Sequence, residues 1–271
     1  MGALLIAASS SCVFGQTWDL VADWSDTDNP NGPWSYNGSP GVPITNHLDD
    51  YDPSTASAFG SPQPAWAEAV FPQNNHVPVW FKRVSDYSGF DIPIGAVGMH
   101  GTEADDPPQW VGVSWTSPVD EAVDLSGVVW YAHTGIQRSS NWQIRVNNIV
   151  ITGGTVAWTD GSSSEFPIDL ADGSGGALAL DSIGVDPGDV ITLEFKSFST
   201  YACLLGVGLT ITVDPCYADM NDDNLLDLAD VNVFVSAFLS GAPVADIAEP
   251  FGVFDLADVL LFIDEFLAGC P

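Results

Sequence analysis

From residue 17 to residue 213, apolar residues come in short or alternating runs cut by Gly, Pro, Asn and Asp. Runs of that length and period predict strands over 18–24, 77–84, 110–116, 122–133, 142–151, 155–159, 190–198 and 202–213. The stretch Trp142-Gln143-Ile144-Arg145-Val146-Asn147 alternates cleanly, the mark of a strand with one buried and one wet face. Asn147-Asn148, Gly153-Gly154 and Asp186-Pro187-Gly188-Asp189 read as turns. Nothing between the runs has the length and period of a crossover helix, so the sheets are expected to be antiparallel. The fold class expected for residues 17–213 is mostly β, an antiparallel jelly-roll β-sandwich. Residues 25–76, dense in Pro, Asn, Ser and Asp, predict long loops and one edge strand.

After Pro215 the period changes from two to nearly four. Residues Val231, Phe234, Val235 and Phe238 stand at i, i+3, i+4 and i+7, and so do Val259, Phe262, Ile263 and Phe266. The two stretches are copies at an offset of 28. Asp227-Leu228-Ala229-Asp230-Val231 aligns with Asp255-Leu256-Ala257-Asp258-Val259, and Gly241 with Gly269. Two amphipathic helices can cover each other's stripe, which neither can do alone, and the glycines fit left-handed caps. Residues 216–271 therefore predict a small all-α, two-helix domain.

The segment before the first helix carries oxygen-bearing side chains at loop positions 1, 3, 5, 9 and 12: Asp219, Asn221, Asp223, Asp227 and Asp230. Leu225 can offer its backbone carbonyl at position 7. A hard cation such as Ca²⁺ takes six to eight oxygens, and this spacing winds a short chain around one ion. Position 6 is Asn224, a residue that tolerates the bend usually given to Gly. Five carboxylates (Asp219, Asp222, Asp223, Asp227, Asp230) crowd this stretch and repel one another without a cation. The second copy is less regular. Asp246, Glu249, Asp255 and Asp258 form a possible second metal site, completed by water; alternatively Phe251 and Val253 pack that loop as a purely structural copy.

Charge and cysteine content narrow the partners and the compartment. The chain has 36 Asp plus Glu against 5 Lys plus Arg, a formal net charge of −31. That excludes nucleic acid as a natural partner, since no cationic surface exists to displace counterions from phosphates. With 46% hydrophobic residues and 10 Trp, the acidity does not signal disorder. No apolar run reaches the ~20 residues of a membrane span. Residues 1–16 read as a short export signal, Ala3 to Ala8 forming its apolar stretch, which predicts a secreted or cell-surface protein. In that oxidising setting, Cys216 and Cys270 flank the last domain and are expected to pair. Cys203, in an apolar run, is expected to be a buried thiol.

Residues 216–271 resemble a dockerin, the duplicated loop–helix calcium module, in the variant ending in Gly-Cys that occurs on planctomycete secreted proteins. The resemblance rests on the 219–230 loop, the twin Asp-Leu-Ala-Asp-Val starts and Gly269-Cys270-Pro271. It implies Ca²⁺ as the cofactor and a cohesin-like protein or cell-surface scaffold as the partner. It also implies partner-binding residues at loop positions 10 and 11, here Leu228, Ala229, Leu256 and Ala257.

The sandwich is only generally similar to carbohydrate-binding modules. Trp80, Trp110, Trp115, Trp130, Tyr131, Trp142 and Trp158 are candidates for an aromatic platform, as are Trp34, Tyr36, Tyr51 and Trp66 if exposed. Catalytic patterns are missing. The four histidines (His47, His76, His100, His133) have no metal-binding spacing, and no serine sits in a nucleophile elbow. Arg138 and Arg145 suit a carboxylated sugar or pairing with a nearby Asp. The expectation is a non-enzymatic secreted protein binding extracellular polysaccharide. The rivals are a structural subunit of a surface layer or filament, and a polysaccharide-degrading enzyme.

Overall fold

A computed structural model describes residues 16–51, 62–70, 78–85, 89–102, 109–133, 135–197, 201–213, 216–221, 223 and 225–269. The chain divides into two compact units, Thr17–Thr212 and one that includes Val213–Pro271. The export-signal residues before Gln16 lie outside the described residues.

The larger unit is mostly β. Its described strands are β1 (Thr17–Asp19), β2 (Trp34–Ser39), β3 (Val42–Pro43), β4 (His47–Leu48), β5 (Ala65–Ala67), β6 (Val79–Lys82), β7 (Val97–His100), β8 (Val111–Thr116), β9 (Glu121–Tyr131), β10 (Ser139–Val146), β11 (Ile149–Ala157), β12 (Ile168–Asp169), β13 (Ile183–Val185), β14 (Val190–Ser197) and β15 (Leu204–Val213). One sheet runs β12-β9-β15-β7-β6-β5-β4, with β1 also on β15 and β13 also on β9. The second runs β11-β10-β14-β8-β2-β3. The sheets face each other through large side chains. Trp18 of β1 meets Trp115 of β8 edge-on at 4.9 Å, and Trp80 of β6 lies 6.4 Å from Phe195 of β14. Trp34, Trp80 and Trp115 are fully buried, so these indoles fill the layer between sheets that alternating strands create.

Several expectations change. Within 25–76 the described residues hold four strands, and β2 sits inside its sheet between β8 and β3. Asn29 supplies what the composition hid: its side chain donates to the carbonyls of Tyr36 and Ile44, at 2.8 Å each, and accepts from Tyr36 N–H. Polar residues here satisfy strand backbone. The aromatics Trp34, Tyr36, Tyr51 and Trp66 are buried, and so are Trp80, Trp115, Trp130, Tyr131 and Trp142, which removes them as a platform. Gly153-Gly154 is no turn. Both lie within β11, opposite Gln143 and Trp142, and a Cβ on Gly154 would approach the Trp142 indole to 2.9 Å. The run 142–151 is instead broken at Asn147-Asn148, where Asn147 adopts φ 53° and closes the β10–β11 hairpin.

The smaller unit contains α1 (Leu228–Ser240) and α2 (Leu256–Ala268). Each begins with the same device. The side chain of Asp227 accepts from Ala229 N–H while Asp230 accepts from Asp227 N–H, and Asp255 and Asp258 repeat both bonds. This capping box satisfies orphan donors and sets carboxylates at the positive helix end. Gly241 ends α1 in the left-handed conformation (φ 68°, ψ 35°); Gly269 shares the positive φ, 77°, but its ψ of 130° takes it outside the expected left-handed cap. The core joins Phe234, Ala237 and Phe262 with Ala218, Ala245 and Ile247. Val235 and Ile263, expected in the stripes, are 47% and 42% exposed. A pair of helices covers only the narrower i, i+3, i+7 seam of Val231, Phe234 and Phe238, and the i+4 residue turns outward.

Candidate metal centre and docking face

The first loop is wound inward by its own side chains. Asp219 Oδ1 and Asn221 Oδ1 both accept from the Asp223 backbone N–H, at 3.2 and 3.0 Å. Asp223 Oδ1 in turn accepts from Leu225 N–H at 3.0 Å, and its Oδ2 accepts from the Asn221 amide at 3.0 Å. Asp230 is fully buried; its Oδ1 takes Asn221 N–H at 3.3 Å and its Oδ2 takes Asp227 N–H at 2.9 Å. The loop therefore draws Asp219, Asn221, Asp223 and Asp230 toward one another. Asp227 has one oxygen committed to the helix cap, and Leu225 exposes its side chain. Asp222 and Asn224 lie outside the described residues. The donor types, carboxylate and amide oxygens on an inwardly wound loop, suit a hard cation. Among the described residues no three His, Cys, Asp or Glu side chains stand close enough to hold a metal by themselves; Asn221 and the Leu225 carbonyl are donors of other types.

The second loop spends its oxygens differently. Asp258 is fully buried, its Oδ1 accepting from Ile247 and Ala248 N–H at 2.8 and 2.9 Å and its Oδ2 from Asp255 N–H at 2.9 Å. Burial pushes this carboxyl up, yet the backbone donors, led by Asp255, outweigh it and hold the group below the usual carboxylate value. Asp246 Oδ2 accepts from Gly252 N–H at 2.5 Å, Asp255 caps α2, and Glu249 is exposed. The alternative in which Phe251 and Val253 pack this loop is not what the structure shows: they are 67% and 49% exposed. Phe254 packs instead, edge-on to Phe238 at 6.1 Å.

Leu228 and Leu256 occupy equivalent surface positions, 70% and 67% exposed; Ala229 is exposed and Ala257 half-buried. Val235 and Leu239 continue the apolar surface on α1, and Leu260, Ile263 and Leu267 continue it on α2. Helical spacing places each set along one outer stripe, roughly a quarter-turn around the helix from the seam that holds the pair together. Cys216 is disulfide-bonded; Cys270, its expected partner, lies outside the described residues.

In the sandwich, Cys203 is a buried thiol. His100 and His133, far apart in sequence, meet edge-on at 6.0 Å, a juxtaposition that spacing alone does not reveal. Among the described residues, Arg138 and Arg145 find partners other than Asp. Arg138 donates to the Ala202 carbonyl and lies over the Tyr201 ring, and Arg145 lies 3.8 Å from Glu194.

The molecule thus combines a two-sheet antiparallel β unit with a duplicated, carboxylate-capped helix pair. No known family, curated protein or solved structure matches the chain.

Proposed function

We propose that the helical unit is a dockerin-like, calcium-stabilised docking module. It attaches a secreted, non-catalytic β-sandwich to a cohesin-like protein or cell-surface scaffold, and the sandwich recognises extracellular polysaccharide. The observation that carries this reading is the pair of outer apolar stripes beginning at Leu228 and Leu256, each directly following a carboxylate-rich loop. Large apolar side chains in equivalent exposed positions mark an interaction surface. Asp219, Asn221, Asp223, Asp227, Asp230 and the Leu225 carbonyl are the residues that would hold Ca²⁺. The ion would neutralise the crowded carboxylates and so couple the shape of the loop to calcium.

Melting of the full chain, followed by far-UV circular dichroism, tests the module. A helical transition that rises by several degrees in millimolar CaCl2 relative to EDTA is expected, and Asp219→Ala with Asp223→Ala should abolish the rise. Identical melting in calcium and EDTA defeats the reading. The same apolar stripes serve a second reading, self-association into a surface layer. Sedimentation as a monomer at tens of micromolar chain, with and without calcium, rejects it.

A further inference from the structure

The outer face of the six-stranded sheet carries a polar lattice that the sequence alone does not assemble. Alternation in β8 and β14 puts Val111, Val113, Trp115, Leu193 and Phe195 in the core, and so turns Gly112, Ser114, Thr192, Glu194 and Lys196 to the other side. Strand register brings these together. Ser114 lies opposite Ser35 and Thr192, Gly112 opposite Asn37 and Glu194, and Gln143 opposite Glu194. Hydrogen bonds run along β2 and across the strands. Ser35 Oγ donates to Asn37 Oδ1 at 2.8 Å, Asn37 Nδ2 to Ser114 Oγ at 2.5 Å, and Thr192 Oγ1 to Ser114 Oγ at 3.5 Å. Gln143 Nε2 donates to Glu194 Oε1, and Arg145 Nη1 lies 3.8 Å from that same oxygen.

Above this lattice a groove of about 540 Å³ opens, with Ser114, Thr192, Glu194 and Arg145 on its floor and Trp110 and Pro40 at its sides. Glu194 is only 3% exposed, so its carboxylate is fixed in place by Gln143 and Arg145. Lys196 Nζ lies 5.9 Å from the Trp110 ring centre. The volume falls within the ~300–1,000 Å³ of small-ligand sites.

We propose that this groove binds a neutral, hydroxyl-rich saccharide segment, an assignment that rests on reading the sandwich as a polysaccharide-recognition module. Oriented donors and acceptors alternate along the floor, which is what a row of hydroxyls requires, since each both gives and takes a hydrogen bond. Trp110 adds an aromatic surface against which the C–H face of a sugar ring can pack. Other ligand classes fit worse. An anion meets Glu194 in a chain of net charge −31, and a cation meets Arg145. An apolar ligand strips water from the hydroxyls and the carboxylate without replacing those bonds.

Affinity gel electrophoresis of the full chain tests the assignment, with xylan, mannan, mixed-linkage β-glucan and starch as neutral probes and alginate as the anionic one. Trp110→Ala and Glu194→Gln are compared with Phe166→Ala, an exposed aromatic outside the groove, and folding of each is checked by its melting temperature. The expected result is retardation by a neutral polysaccharide that weakens at least tenfold in both groove variants and is unchanged in Phe166→Ala. Undiminished retardation in Trp110→Ala and Glu194→Gln overturns the groove and leaves the polysaccharide reading standing. Absence of retardation by every neutral probe overturns both, and retardation by alginate alone overturns the neutral class. Should Glu194→Gln melt early, Thr192→Val, which removes a half-buried hydroxyl at constant volume, stands in its place with the same outcomes.

Discussion

Phe234 and Phe262, repeat-equivalent residues 28 positions apart, stack face to face with ring centres 4.1 Å apart and planes 8° apart. The duplication thus closes on itself: the same residue from each copy fills the middle of the seam, flanked by Phe238 beside Phe234 and Phe266 beside Phe262. Truncating either ring removes the same contact. Phe234→Ala or Phe262→Ala is expected to cost about 3–5 kcal/mol, enough to unfold a unit this small. Because the two rings share one interaction, Leu substitutions at both positions should cost clearly less than the sum of the singles. Helical melting of the full chain by circular dichroism reads both; strict additivity would show that the stack contributes nothing of its own.

The buried carboxylate of Asp258 is expected to matter more than its position on a surface helix suggests. Asp258→Ala removes the acceptor for the N–H groups of Ile247, Ala248 and Asp255; the orphan at buried Ile247 alone costs about 1–3 kcal/mol, and the other two, nearer solvent, add less. Asp255→Ala loses only a cap, about 1 kcal/mol. Since the folded Asp258 carboxyl titrates below its unfolded value, its contribution is complete above the unfolded value and lost as pH falls through the folded one. Chemical denaturation of the two variants at pH 7 should show the larger loss for Asp258→Ala.

Acid should weaken the sandwich through two of its histidines, buried His133 and half-buried His100. Burial, then the neighbouring His100 and Arg138, pushes His133 down to about 2; burial and Arg138 push His100 down to about 4. His133 Nδ1 accepts from Leu204 N–H at 3.2 Å, with Phe90 and Tyr131 rings alongside. An imidazole kept neutral in the fold gains its proton only on unfolding below about 6.5. Stability from this source is therefore complete above 6.5 and declines with pH, by about 2 kcal/mol per histidine at pH 5. The 36 acidic residues shed mutual repulsion over part of this range and act oppositely. The measurement is therefore the difference in slope of unfolding free energy against pH between wild type and His133→Asn. A flatter slope in the variant is expected; equal slopes would acquit His133.

Gly206 of β15 should not accept a methyl group. A Cβ there would stand 2.0 Å from the Trp130 indole, which is itself held by a 2.6 Å bond from its Nε1 to the Asp91 carbonyl. Gly206→Ala is expected to destabilise the sandwich by about 1–3 kcal/mol through overpacking. Gly184→Ala, where nothing lies within 4 Å, should change the melting temperature by a degree or two at most.

Periodicity alone determined the mostly β body, the helix pair and the offset that relates its halves, because repeats of two and of nearly four residues are properties of the chain itself. It also marked Asp219, Asn221, Asp223, Asp227 and Asp230 as one loop, since those residues are neighbours in sequence. Long-range position was beyond its reach. Only the tertiary structure buried Trp34 and Trp66, set Gly154 under Trp142, turned Val235 outward and gave Asp258 its three backbone donors. The groove over Ser114, Thr192, Glu194 and Arg145 is the clearest case. Alternation assigns each residue to a face of its own strand, but which strands lie side by side, and in what register, is decided by how two sheets and their loops jointly exclude water.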